Sequence, residues 1–140
     1  MSGKRFYVVL SFIVLAVLAL GISLYLYNKP HVNIEKSEPE YFLTAQELIT
    51  EYQKHEIETD KKYSERILQV KGQINEISIN KDKSVIVLKP TGEVSSVICH
   101  MLPVENTKLL KLEKGDMVTI KGKCTGYLLD VIMVRCILEE

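Results

Sequence analysis

The sequence predicts a mainly β protein: a small five-stranded barrel, preceded by one amphipathic helix and carried on one N-terminal transmembrane helix. Three observations predict it. Residues 6–27 are an unbroken apolar run, residues 44–62 have helical spacing behind a capping motif, and residues 66–138 alternate with the period of strands. At 140 residues the chain is too short for two ordinary domains once an anchor is set aside.

The run from Phe6 to Tyr27 (FYVVLSFIVLAVLALGISLYLY) holds twenty-two residues without a charge. As a helix it spans about 33 Å, enough for a hydrocarbon core of about 30 Å. It shows no polar face of the kind a soluble helix presents, and Tyr7, Tyr25 and Tyr27 stand near its ends, where amphipathic rings favour the membrane interface. A cleaved signal peptide is the competing reading, with Lys4 and Arg5 as the charged region and Ala19 and Gly21 flanking a small-residue site. The apolar run continues through Ile22 to Tyr27, beyond the usual length of about 7–15 residues, which favours an uncleaved anchor. No cysteine lies within or just after it, so lipidation of an N-terminal cysteine is excluded. Lys4 and Arg5 precede the span and Lys29 alone follows closely, so residues 1–5 are expected in the cytoplasm and the remainder across the membrane. That placement describes a single-pass membrane protein with its C-terminal domain outside the cytoplasm. Without Lys4 and Arg5, sixteen basic residues face eighteen acidic ones, a net charge near −2 that gives no electrostatic reason for a polyanionic partner.

Residues 28–43 (NKPHVNIEKSEPEYFL) hold two prolines, mixed charges and no periodicity, and read as a tether. Thr44 and Glu47 fit a capping box opening a helix over 44–62, with Leu48, Ile49 and Tyr52 as its buried stripe, extending weakly to Ile57. Five strands follow, at 67–79, 84–88, 94–102, 117–124 and 131–138, with a short helix allowed over 104–112. Turn residues separate them: Asn80 to Lys83, Pro90 to Gly92, Gly115 and Asp116, and Gly126 to Asp130. A phase shift between Ile74 and Ile77 predicts a bulge near Asn75 and Glu76. In the fourth strand Val118, Ile120, Gly122 and Cys124 share an inward face against Thr119, Lys121 and Lys123. In the fifth, Ile132, Val134, Cys136 and Leu138 are read as inward, with Met133 and Arg135 outward.

Three strands, a short helix and two strands is the order of the OB-fold, whose near-closed barrel removes most free edges; a small sandwich is the other arrangement the pattern permits. The run Leu112 to Gly126 (LEKGDMVTIKGKCTG), with Asp130 to Cys136 (DVIMVRC), resembles the tRNA-anti-like OB-fold family of bacterial membrane-anchored and lipoprotein-type proteins. Thr44 to Leu48, the stretch to Tyr63, and Val70 to Gly72 share the likeness, which spans about residues 44–138; His55 stands where the family more usually has asparagine. The resemblance implies the fold and export, and brings no catalytic residues and no settled function.

Candidate chemistry is sparse. OB-folds that hold single strands stack bases on aromatic residues of the second and third strands, yet Val85 to Met101 contains no Phe, Tyr or Trp, and Lys89 and His100 are its only basic side chains. Lys71, Lys121, Lys123 and Arg135 form a possible basic stripe on the other strands, although solvated lysines explain it equally. His55 and Glu56 begin a zincin-like pattern, but Thr59 occupies the second ligand position, Asp60 lies about 140° around the helix, and His31 and His100 share no spacing with them. No cofactor or metal is expected. Cys124 and Cys136 belong to inward sets and sum to a turn centred on residue 130, which predicts a disulfide between them; Cys99–Cys136 and three buried free thiols remain as alternatives. The reading is a non-enzymatic, membrane-anchored, extracytoplasmic binding module for an envelope protein or extended ligand. An oligonucleotide- or oligosaccharide-binding role is the alternative, nucleic acid ranks below protein, and no small molecule is identified.

Overall fold

The computed structural model describes residues 2–28 and 32–140, so the expectations that rest on Met1, Lys29 and His31 lie outside the described residues. The chain divides into two units, residues 1–32 and 33–140. The first is one helix, α1 (Ser2–Tyr27), of which Gly3–Tyr27 is long and apolar enough to cross a membrane. Its large side chains are exposed all round, so no stripe marks a protein-facing side.

The second unit is a closed five-stranded barrel. After β1 (Tyr41–Thr44), α2 (Ala45–Lys54) and α3 (Glu56–Tyr63) come the barrel strands β2 (Ile67–Ser78), β3 (Val85–Leu88), β4 (Val97–Met101), β5 (Met117–Tyr127) and β6 (Val131–Glu139). Between β4 and β5 lie a 3₁₀ turn and the short helix α4 (Asn106–Leu109). The order around the barrel is β2–β3–β4–β6–β5, closed by antiparallel pairing of β5 with the first half of β2. The second half of β2 pairs with β3, and the predicted bulge appears as a register shift between Ile74 and Glu76. That bulge bends one strand enough to serve both sides of the barrel.

The capping box forms as read: Glu47 N donates to Thr44 Oγ1 at 3.1 Å, and Thr44 N donates to Glu47 Oε2 at 2.8 Å. Leu48, Ile49 and Tyr52 are fully buried. The single expected helix is two, broken at His55 (φ −142°, ψ 59°). The break re-aims α3 so that Thr59 and Tyr63 turn inward while Ile57 is 74% exposed, contrary to the stripe. Together α2 and α3 cover one barrel end. Ala45 packs by Gly72, the ring of Tyr52 stacks on Tyr127 at 5.0 Å, and Gln46 and Gln53 donate to Glu93 in the β3–β4 loop. The other end is closed around α4, where Leu109 is buried and Asn106 bonds to Ser84 and the carbonyl oxygens of Asn80 and Lys81.

Two differences from the sequence reading matter for function. The stretch read as a tether is partly packed: Ile34 is buried, and β1 pairs in parallel with β2. Four residues in parallel pairing leave no periodic signal to read. The second difference is the phase of β6, where Val131 and Met133 are buried and Ile132 and Val134 are half-exposed, the reverse of the expected parity. The cause is a bulge at Arg135, whose φ of 54° is left-handed. It restores the inward phase at Cys136, and the pairing of β6 shifts against both β4 and β5 at this point.

Candidate functional site

In β3, Ile86 and Leu88 enter the core, leaving Val85 and Val87 outside. In β4, Val97, Cys99 and Met101 are inward, leaving Ile98 and His100 outside. The register then aligns Val87 with Ile98 and Ile98 with Ile132, a row of three aliphatic side chains crossing three strands. Beside it, Val85 lies opposite His100, and Val134 continues the outer face along β6. All of these but the exposed His100 are half-buried, so the outer face of β3, β4 and β6 is apolar without being sealed.

At Ile132 the row opens into a groove of about 420 Å³ between α3 and the end of the β5–β6 hairpin, lined by Ile57, Asp60, Gly126, Tyr127 and Leu128 among others. Gly126 has φ 138°, and a Cβ there would lie 3.3 Å from Asp60 Oδ1, so glycine meets both the backbone and the space requirement. The hairpin turn exposes Leu128 and Leu129, while Asp130 is held inward by the Ser96 N–H and hydroxyl at 2.7 and 2.8 Å.

The four residues read as a basic stripe do not act as one. Lys71 is exposed on β2. Lys121, expected outside, is 6% exposed: its ammonium pairs with Glu139 at 2.7 Å and donates to the Glu35 carbonyl at 3.5 Å, because the turn after Asn33 lies over it. Lys123 is paired with Glu65. Arg135 sits on the β6 bulge with its Nε buried and without a hydrogen-bond partner.

Cys99, Cys124 and Cys136 are buried free thiols. The facing on which a Cys124–Cys136 bridge would rest is not formed, since the displaced register sets Cys124 opposite Met133. Burial raises the Cys136 thiol well above its ordinary pKa, with Cys99 beside it adding to the effect, and burial likewise raises that of Cys124, which meets the Tyr52 hydroxyl at 3.5 Å. Such thiols are held protonated, the opposite of what a nucleophile needs. Among the described residues no three His, Cys, Asp or Glu side chains converge for a metal.

The outward set of β6 escaped sequence reasoning because both of its alternating sets are apolar, so hydrophobicity could not choose between them. The one local signal is Arg135 inside the otherwise apolar run Val131 to Leu138.

The model of the family described as tRNA_anti-like matches residues 1–138. Among solved structures, the fold is similar to that of a lipoprotein from Klebsiella pneumoniae subsp. pneumoniae MGH 78578, provisionally designated nucleic acid-binding. The TM-score is 0.59 at 10% identity, over 80% of this chain and 100% of that one. A chain of the S. pombe Stn1-Ten1 complex aligns at TM-score 0.39 and 18% identity, over 53% of this chain and 58% of that one. At 10% identity the first likeness speaks for fold alone, and the second carries no argument. No curated protein matches the chain.

Proposed function

We propose, for a chain that belongs to the tRNA_anti-like family and begins with an apolar helix, that it is a membrane-anchored docking module for an extended segment of an envelope protein. It works by binding, not by catalysis. The observation that carries this reading is the aliphatic row Val87, Ile98 and Ile132 on the face where OB-folds take ligands. Aliphatic side chains on a pleated surface suit the side chains of another polypeptide. Bases need aromatic platforms, which β3 and β4 lack, and a backbone of phosphates needs a continuous run of unpaired cations, which the pairing of Lys121 and Lys123 within the chain interrupts. The designation of the Klebsiella protein supplies the competing reading, binding of nucleic acid.

Lys4 and Arg5, in α1 just ahead of its apolar run, support a cytoplasmic N-terminus, a single span of a bacterial inner membrane and an extracytoplasmic barrel. A reporter active only outside the cytoplasm, fused after Glu140, is expected to work; activity from a cytoplasmic reporter alone would reverse the orientation. For the ligand class, the full chain in a lipid nanodisc is titrated with single-stranded DNA and RNA over a range of salt. The expected result is no salt-sensitive binding. Micromolar binding that weakens steeply with salt would replace the docking reading with the nucleic-acid one.

A further inference from the structure

We propose that Arg135 is the anchor of this docking face: it holds a carboxylate side chain of the partner segment whose aliphatic neighbours lie on Val87, Ile98 and Ile132. The inference rests on the docking reading above. Its grounds are local to the bulge.

Met133 and Cys136 are both buried, so the two residues between them, Val134 and Arg135, fall on the outer side of β6. His100 stands across from them on β4 and is exposed, so two nitrogen-bearing side chains flank one end of the aliphatic face. The backbone of Arg135 is left-handed, a conformation that long side chains seldom adopt and that concentrates at binding sites. Its Nε is buried with no hydrogen-bond partner and lies out of reach of a ligand, whereas its terminal nitrogens are free of hydrogen bonds to the described residues. No carboxylate of the described residues forms an ion pair with it, whereas Lys121 and Lys123, near it on β5, each have one. A carboxylate can accept from the two terminal nitrogens together, in the planar two-bond geometry that arginine matches. The carboxylate is assigned to a peptide and not to a phosphate chain because the neighbouring surface is aliphatic. The net charge near −2 of the chain after Arg5 also repels polyanions.

The test uses the full chain in a nanodisc and two labelled, acetylated and amidated hexapeptides, Ser-Val-Ile-Glu-Val-Ser and its Gln counterpart, with an oligothymidylate as the third probe. Anisotropy is read for wild type, R135Q and R135G. Glycine accepts the left-handed backbone, so R135G keeps the comparison valid if R135Q folds poorly. The expected result is a glutamate peptide bound about tenfold or more tighter than the glutamine one, a difference erased in both variants while the weaker aliphatic binding remains. Equal affinities in wild type, or a preference that survives both substitutions, would overturn the anchor and leave the docking face standing. Binding of neither peptide at millimolar concentration would overturn both readings. Oligothymidylate binding that is lost in R135Q would assign Arg135 to phosphate instead.

Discussion

Substituting Gly122 by alanine tests how tightly the bulged β6 strand is seated against β5. Gly122 lies in the middle of the inward face of β5, and a Cβ built there would stand 2.5 Å from Cys136 Sγ, 3.2 Å from the Val134 carbonyl oxygen and 3.3 Å from Cys136 Cα. The first contact is roughly 1 Å shorter than an ordinary van der Waals separation. The sulfur has little room to retreat, being fully buried with Cys99 beside it. The other two contacts are backbone. Overpacking of this kind costs about 1–3 kcal/mol, and alanine's advantage over glycine within a strand returns up to about 1 kcal/mol. A net loss of about 1–2 kcal/mol lowers the Tm of a domain of this size by roughly 4–15 °C. Thermal unfolding of the full chain in detergent, followed by the near-ultraviolet circular dichroism of the stacked Tyr52 and Tyr127, reads it directly. Removing the sulfur with Cys136→Ala should cut the cost of Gly122→Ala by half or more, a coupling of about 1 kcal/mol. A Gly122→Ala protein as stable as wild type, or additive losses in the double variant, would refute the packing described at this position.

Three further outcomes follow from the same structure. The Lys121 side chain is 8% exposed and that of Glu139 is 30% exposed, so Glu139→Ala, which strands a buried ammonium, should cost about 2–4 kcal/mol in urea denaturation. Lys121→Met leaves a carboxylate that reaches water and should cost less than about 1.5 kcal/mol; equal losses would contradict the burial asymmetry. Arg135→Gly should raise the Tm by several degrees, about 1 kcal/mol of relieved backbone strain, and an unchanged or lower Tm would remove the strain from the account. Burial raises the pKa of Tyr52 and Tyr63, and of the Cys124 and Cys136 thiols, above ordinary values of 10.0 and 9.0. The folded state therefore holds these protons where the unfolded chain releases them, so stability is complete below about pH 8 and falls as pH rises beyond 9. A Tm constant from pH 7.5 to 10.5 would contradict it.

Much of this fold could be read from the residues, because the legible elements have strong local chemistry. Thr44 and Glu47 cap α2 through groups three residues apart, and the phase change between Ile74 and Ile77 marks the bend of β2. What stayed hidden depends on partners distant in sequence. Ile34 and β1 are ordered by β2 and β5, and nothing within residues 28–43 announces it. Lys121 read as solvated because its cover, the turn after Asn33, was read as a tether. In β6 the run Val131 to Cys136 is apolar on both faces but for Arg135, so its phase is set by pairing with β4 and β5 and not by its own pattern. The same ambiguity concealed the outward Ile132 and Val134, and with them the face that now carries the functional reading. The Cys124–Cys136 facing failed for this reason too: it assumed a regular ladder through a bulge.

The central claim is that the outer face of β3, β4 and β6 docks a polypeptide, and a photoreactive amino acid installed at Ile98 in the full-length protein, in intact cells, addresses it most directly. An equivalent substitution at Lys71, exposed on β2 and outside the aliphatic row, serves as the control. The account predicts a discrete protein adduct from position 98 that is absent from position 71 and is lost when Val87 and Ile132 are both changed to lysine. Equal adducts from both positions, or a nucleic-acid adduct at position 98, would contradict it.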